Sequence, residues 1–254
     1  MKRKIDQVVD VLQQAVRDFP QVCFASSLGA EDMVLTDLID KYRLKIEMFS
    51  LDTGRLPQET YNLMQAVSER YSTPLKVYFP DKVAVENYVA QNGVNGFYGS
   101  VESRKACCFA RKVEPLRRAL SGKGAWVTGL RRDQTITRSN LEVSSFDADF
   151  GLQKYNPLLD WSHEDVWAYI RANDVPYNTL HDQFYPSLGC APCTRPVTPG
   201  EDIRAGRWWW EKPEGKECGL HVNKAPQEAH SHGISASAHV DVLRQDVQIF
   251  IEKS

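Results

Sequence analysis

Short apolar runs alternate with helix-like segments over the first third of the chain. Strands are predicted at 21–26, 44–51 and 74–79, and helices at 5–18, 30–41 and 57–71. The runs are short enough for buried strands, and the helical segments carry apolar residues spaced for one face. This alternation predicts an α/β fold, a doubly wound and mostly parallel sheet with helices on both faces.

Three polar loops follow predicted strands and carry most of the suggestive residues. The loops at 26–32 and 52–55 follow the first two strands, and the loop at 129–138 follows a further strand candidate at 126–130. Another strand candidate lies at 141–146. Ligands of parallel sheets bind beyond the carboxyl ends of the strands, so we expect these loops to converge on one site.

The remainder of the chain divides by composition. We expect an α/β domain over 1–207, with Ser162 capping a helix, and a tail at 208–222 that is mobile and closes over bound substrate. Residues 223–254 are rich in Ala, Ser, His and Gly at their start, which predicts a flexible linker followed by a short helix.

Composition narrows the class of protein. A net charge of −2 over 254 residues gives no reason to expect nucleic acid as a partner. No apolar run has the length of a membrane span. The basic first residues lack the apolar stretch of a signal peptide, so the cytoplasm is the expected compartment. Six cysteines in such a chain point to metal or redox chemistry.

Four of the cysteines form two pairs. Cys107 and Cys108 are adjacent, and Cys190 and Cys193 enclose Ala-Pro. Either pair alone is compatible with packing, half a zinc site or a redox dithiol. Together they supply four thiolates, the complement of zinc or of a cubane iron–sulfur cluster, and adjacent ligands favour the larger group. If its segment is helical, Lys112 shares a face with Cys108 and would stabilise a negatively charged site.

Six short motifs occur in one order. They are Ser-Leu-Gly-Ala-Glu-Asp (27–32), Leu-Asp-Thr-Gly-Arg (51–55), Cys107-Cys108, Gly-Leu-Arg-Arg-Asp-Gln (129–134), Cys190-Ala-Pro-Cys193 and Glu-Cys-Gly-Leu-His (217–221). This set resembles the assimilatory adenylyl-sulfate (APS) reductases, which belong with the PAPS reductases in the adenine-nucleotide α-hydrolase-like fold. The resemblance covers roughly residues 20–222.

The resemblance implies a reaction and a cofactor. It implies thioredoxin-dependent reduction of APS to sulfite and AMP in sulfate assimilation. It also implies one [4Fe-4S] cluster per chain on the four paired cysteines, and neither flavin nor nicotinamide. PAPS-only enzymes lack these cysteines, which favours APS, although dual APS/PAPS specificity stays open, as does assembly into a homo-oligomer.

Cys218 is the candidate nucleophile. By resemblance it attacks the sulfonate sulfur of APS and carries a thiosulfonate, with His221, Arg204 and Arg207 as further catalytic residues. Cations near a thiol lower its pKa and also attract an anionic substrate. Cys23 lies in an apolar strand and is expected to be buried, so no resolving cysteine remains. An external dithiol, thioredoxin or glutaredoxin, must then release sulfite.

The resemblance also supplies a nucleotide site. The candidate substrate-binding residues are Ser26, Ser27, Gly29, Asp32, Leu51, Asp52, Thr53, Lys112 and Arg138. A loop before a helix can offer amides and hydroxyls to a phosphate, and the serine that makes this contact is left open. Arg131 and Arg132 are interpreted as surface or sheet-edge charges, with Arg138 preferred as the substrate ligand.

Two alternatives come from other classes. An ATP-pyrophosphatase would share the fold, but the Ser-Gly-Gly-x-Asp-Ser loop of those enzymes is absent from the sequence. A non-catalytic protein that senses redox state would bind metal without producing AMP. For the run at 208–210, packing is the preferred role for at least two of the three tryptophans.

Overall fold

A computed structural model of the protein describes residues 1–134 and 141–212. Arg138, Cys218 and His221 lie outside the described residues. The division at 207 and 222 therefore stays a prediction. No helix within the described ranges is long and apolar enough to cross a bilayer.

Six strands and seven α-helices make up the described fold. The strands are β1 (Val22–Ala25), β2 (Ile46–Leu51), β3 (Leu75–Tyr78), β4 (Ala125–Val127), β5 (Ser144–Asp147) and β6 (Leu152–Tyr155). The α-helices are α1 (Lys2–Asp18), α2 (Ala30–Lys41), α3 (Gln58–Arg70), α4 (Lys82–Asn92), α5 (Val101–Cys108), α6 (Glu114–Leu120) and α7 (His163–Ala172).

The strands form a single sheet in the order β3-β2-β1-β4-β6-β5. All neighbours are parallel except β5 and β6, which pair antiparallel. The order reverses between β1 and β4, so the loops that leave these strands diverge and open a crevice. The predicted doubly wound, mostly parallel α/β fold is confirmed.

Helices cover both faces of the sheet. Val22 and Phe24 of β1 pack in the larger core with side chains of α1, α2, α3 and α7. Cys23, which points to the opposite face, packs in a second core with Trp126 and with Leu116 of α6. The alternation along β1 therefore places Cys23 in apolar surroundings. Burial raises the pKa of its thiol to about 12, which fits the expected inert residue.

The strands and helices predicted from apolar runs are present in the first third of the chain. The predicted strand at 141–146 is displaced to Ser144–Asp147, and β6 was missed. The reason is that Lys154 of β6 is a charged residue that lies buried near Asp147 and over the Trp126 ring. The predicted cap at Ser162 is confirmed, because its hydroxyl accepts a hydrogen bond from the backbone N–H of Asp165.

Candidate functional site

The loop after β1 is held in shape by its own side chains. Ser27 donates from both its backbone N–H and its hydroxyl to Asp32 Oδ2, at 2.6 and 2.7 Å. The buried Ser26 hydroxyl accepts a hydrogen bond from the backbone N–H of Leu28. Leu28 has a φ of 61°, whereas Gly29 has an ordinary φ of −71° as the N-cap of α2. The left-handed position that glycine would favour is therefore filled by a buried leucine.

Asp32 joins this loop to the loop after β4. Burial raises the pKa of the Asp32 carboxyl to about 7, although the hydrogen bonds from Ser27 oppose the rise. A Cβ at Gly129 would overlap Asp32 Oδ1. Next to this contact, Arg131 is buried and its Nε lies 2.8 Å from Glu31 Oε1. The interpretation of Arg131 as a surface charge was wrong, since it ties the β4 loop to the start of α2.

Replacing Gly129 with alanine is expected to destabilise the protein by about 1–3 kcal/mol, because the new methyl group would displace the Asp32 carboxylate. Urea unfolding measures the change. Gly29→Ala is the matched control for stability, since a Cβ there meets its nearest neighbour, Ser27 Oγ, at 3.5 Å and the change should cost less than about 1 kcal/mol. Equal costs for the two variants would contradict the packing described.

The loop after β2 is also held in shape by hydrogen bonds of its own side chains. The buried Asp52 carboxylate accepts hydrogen bonds from the backbone N–H of Gly54 and from the Tyr61 hydroxyl, at 2.7 and 2.9 Å. Gly54 has a φ of 70°, a left-handed value that suits glycine in this turn. Asp52 thus orders its own turn, and the half-buried Leu51 precedes it.

Thr53 connects this loop to the paired cysteines. Its hydroxyl lies 3.2 Å from Cys190 Sγ, and its carbonyl accepts a hydrogen bond from Arg111 at 2.7 Å. The carbonyl of Arg55 accepts a hydrogen bond from the backbone N–H of Ala191. The loop after β2 and the segment that carries Cys190 are therefore in direct contact.

All four paired cysteines line one small cavity, as free thiols. Cys107 and Cys108 come from the end of α5, and Cys190 and Cys193 come from a short helical turn. Cys107, Cys108 and Cys193 are buried, and Cys190 is half-buried beside Thr53. Residues more than eighty positions apart in the sequence are thus brought together by the fold.

Four basic side chains line the same cavity: Arg55, Arg104, Arg111 and Lys112. Lys112 was expected to share a helical face with Cys108. The α-helix ends at Cys108, however, and Phe109–Val113 form a wider π-helical turn. Lys112 reaches the cavity from this turn, so the placement is confirmed although the predicted helical spacing is not the reason for it.

Burial and the neighbouring charges shift the pKa values of the thiols in this cavity. Burial raises the pKa of Cys193 to about 12, and nearby Cys190 and Cys108 add to the rise, while Lys112 and Arg207 oppose it. Burial also raises the pKa of Cys107, with Arg111 opposing. Several buried thiolates are costly unless cations compensate them. Buried sulfur donors within a basic wall therefore fit an anionic, thiolate-bound cofactor.

Four thiols that share a cavity are not necessarily arranged around a single metal ion. Across 1–134 and 141–212, no group of three or more His, Cys, Asp or Glu side chains is arranged to hold a metal ion. The four thiols line the walls of the cavity.

Arg204 and Arg207, the predicted catalytic arginines, differ in their surroundings. Arg207 is buried, donates to the carbonyl of Leu188 at 2.5 Å, and lies over the ring of Trp208. Arg204 is half-buried, and its backbone N–H donates to Asp202. Arg207 acts on Cys193 through its charge, so it belongs to the surroundings of the cysteine cavity.

The three tryptophans take different positions. Trp208 is buried against Cys107 and Cys193, and its backbone N–H donates to the carbonyl of Cys193. Trp210 is half-buried and packs edge-on against Tyr98, while Trp209 is exposed. Trp210 therefore has a packing role, whereas Trp208 lies against two of the paired cysteines.

Sequence reasoning missed four residues of the site. Arg104 precedes Cys108 by one helical turn and Arg111 follows it by three residues, so a search for cations near the pair would have found both. Arg55 is the last residue of the 51–55 motif. No signal in the sequence marks Tyr61, whose contact with Asp52 depends on how α3 lies against the loop.

The family model that matches this chain is the phosphoadenosine phosphosulfate reductase domain, over residues 21–196. The chain is 55% identical over 225 residues to the adenosine 5′-phosphosulfate reductase of Allochromatium vinosum, with 88% of each chain covered. It is 53% identical over 219 residues to the enzyme of the same name from Burkholderia cepacia, which covers 86% of this chain and 88% of that protein.

Solved structures of other proteins are also similar to this chain. The phosphoadenylyl-sulfate (PAPS) reductase of Candida auris, a phosphate complex, has a TM-score of 0.65 and 32% identity, covering 74% of this chain and 90% of that one. The FMN adenylyltransferase of Candida glabrata has a TM-score of 0.54 and 16% identity, covering 96% of this chain and 81% of that one, and shares the fold. This chain belongs to the phosphoadenosine phosphosulfate reductase family, together with relatives named adenosine 5′-phosphosulfate reductase.

Proposed function

We propose that the protein reduces adenosine 5′-phosphosulfate to sulfite and AMP, with thioredoxin or glutaredoxin as the electron donor. The observation that carries this proposal is the contact between Thr53 and Cys190, which joins the strand-end crevice to a cavity lined by four thiols. A nucleotide in the crevice would lie beside the cysteine cavity. The names of the relatives at 55% and 53% identity support APS as the substrate.

The loops after β1 and β2 suit the nucleotide part of APS. The loop at 26–32 ends at the N-terminus of α2, where backbone N–H groups favour a phosphate. Because Ser27 already donates to Asp32, the backbone of this loop is ordered before a ligand arrives. Leu51, Asp52 and Thr53 lie at the end of β2, where adenosine would bind by resemblance.

We propose that Cys107, Cys108, Cys190 and Cys193 hold a [4Fe-4S] cluster. Their buried thiols and the basic residues around them are the reasons. When bound, the cluster supplies electrostatic tuning of the sulfate site. Lys112 lines the same cavity as a half-buried cation, and it would attract the sulfonate.

The first chemical step assigned to this chain is nucleophilic. The Cys218 thiolate attacks the sulfonate sulfur of APS, a new S–S bond forms, and the bond from sulfur to the bridging phosphate oxygen breaks. AMP leaves with the electron pair of that bond. The thiosulfonate on Cys218 retains the sulfonate group, and Arg204, Arg207 and His221 are proposed to balance its charge and protons.

The second step needs two electrons from outside the chain. A thiolate of the reductant attacks Cys218 Sγ, and sulfite leaves with the electron pair of the S–S bond. The second thiol of the reductant then breaks the mixed disulfide, so that Cys218 is restored and the reductant is oxidised. Cys23 cannot replace the second thiol, because it is buried in β1.

A sulfite-release assay tests the proposal. Anaerobically purified protein should release sulfite and AMP from APS with reduced thioredoxin, and iron and sulfide should be counted on the same sample. Equal turnover of PAPS would establish dual specificity, which the similarity to a PAPS reductase makes worth measuring. Bound iron without AMP production from either nucleotide would instead support the redox-sensing alternative.

A further inference from the structure

A buried ion pair connects the cysteine helix to the last described turn. Arg104 of α5 is completely buried, with 0% of its side chain exposed, and the Glu211 side chain is 4% exposed. Arg104 Nε lies 2.5 Å from Glu211 Oε1. Burying two such charges is costly unless each compensates the other.

The surroundings of Arg104 explain where this pair acts. Its guanidinium lies over the ring of Trp208 at 4.6 Å, and its charge also interacts with the Cys108 thiol. Arg104 therefore interacts with the Cys108 thiol, the Trp208 ring and the Glu211 carboxylate at the same time.

Glu211 is fixed by the backbone as well. Its N–H donates to the carbonyl of Trp208, and the N–H of Trp208 donates to the carbonyl of Cys193. Glu211 Oε2 is buried without a hydrogen-bond partner in the part of the chain that the structure describes. The turn at 208–211 is thus attached to both cysteine segments, and Arg104 compensates the charge of its last residue.

We propose that the Arg104–Glu211 ion pair is a positioning device. It fixes Glu211, from which the chain leads to Cys218, beside the cysteine cavity. The inference rests on the proposed function for the role of Cys218. Cys218 is seven positions after Glu211 in the sequence, so the chain between the anchor and the nucleophile can span at most about 25 Å. The anchor fixes the point from which the chain leads to Cys218. It also links that point to the helix that carries Cys108.

Glu211→Gln in the full-length, anaerobically purified protein is the test. Glutamine keeps the shape of the side chain but removes the negative charge that faces Arg104. We expect single-turnover sulfonation of Cys218 by APS to slow about 10- to 100-fold. AMP affinity should stay within about twofold, because the loops at 26–32 and 52–54 are unchanged. Tryptic cleavage after Lys216 should accelerate, while iron and sulfide content stays at the wild-type level.

The chain offers a matched control. Arg118 and Glu114 form an ion pair through the same atoms, Nε and Oε1, at 2.6 Å, but their side chains are 47% and 30% exposed. Glu114→Gln should change neither the cleavage rate nor the sulfonation rate. Wild-type rates for both in Glu211→Gln would overturn the proposal, as would equal losses of AMP affinity, iron and sulfonation, which would indicate a general structural role.

A second variant keeps the test decisive if Glu211→Gln does not fold. Glu211→Asp retains the charge and shortens the side chain by one methylene, so intermediate sulfonation and cleavage rates are expected. Rates equal to those of wild type would overturn the proposal. Failure of the proposed function is distinguishable, because wild-type protein would then show no sulfonation, whereas the tryptic comparison does not require turnover.

Discussion

Replacing Cys218 with serine should reduce sulfite release from APS by at least about a thousandfold, because serine is a far weaker nucleophile toward the sulfonate sulfur. Iron and sulfide content should be unchanged, since the four proposed ligands are elsewhere in the chain. The measurement combines a sulfite assay with metal analysis on one preparation. Mass spectrometry should also show an adduct of one sulfonate on wild-type protein treated with APS alone, and none on the variant.

Cys23→Ala is the control for this experiment. Cys23 is completely buried in β1, where its thiol lies 3.7 Å from the carbonyl of Ala125. Its removal costs a weak hydrogen bond and should leave turnover and the APS adduct intact. Retained sulfite release by Cys218→Ser, or an adduct that depends on Cys23, would rule out Cys218 as the nucleophile.

Cys193→Ala should remove the iron as well as the activity. We expect iron content to fall below about a fifth of the wild-type value, because a cubane bound by four cysteines loses one ligand. The free energy of unfolding should also fall, on the order of 3 kcal/mol, since the cations around the cavity lose their anionic partner. Iron analysis and thermal unfolding under anaerobic conditions measure the two effects.

Alanine is chosen because serine could still offer an oxygen ligand. Cys23→Ala again serves as the control, and it should keep its full iron content because Cys23 packs in the separate core behind β1. A Cys193→Ala protein with wild-type iron and visible absorbance would contradict the proposed ligand set, whatever its activity.

The early part of the chain shows how much of the fold is predictable. Strands at 21–26, 44–51 and 74–79 were predicted because each is a short apolar run, and β1, β2 and β3 occupy them. The strand β6 was missed because Lys154 interrupts its apolar pattern. That lysine lies over Trp126 and near Asp147, a compensation that depends on residues distant in the sequence.

The functional site likewise has parts that the sequence predicts and parts that it does not. The spacing of the paired cysteines marks them as candidate site residues. The loop at 26–32 is marked by its place between a predicted strand and a predicted helix. Asp32 was predicted as a substrate ligand, which stays a prediction; its carboxylate accepts hydrogen bonds from Ser27 and lies against Gly129 of the loop after β4. The role of Arg131 could not be predicted, because its partner Glu31 is one hundred positions away.

The sequence by itself determined the α/β alternation, the two cysteine pairs and the family, because local periodicity and spaced motifs are properties of neighbouring residues. Only the tertiary structure decided that Thr53 meets Cys190, that four cations border the cysteine cavity, and that Arg104 holds Glu211. Those contacts join segments that are distant along the chain. They exist because the sheet order and the π-helical turn after Cys108 bring the segments together, and neither can be derived from local sequence.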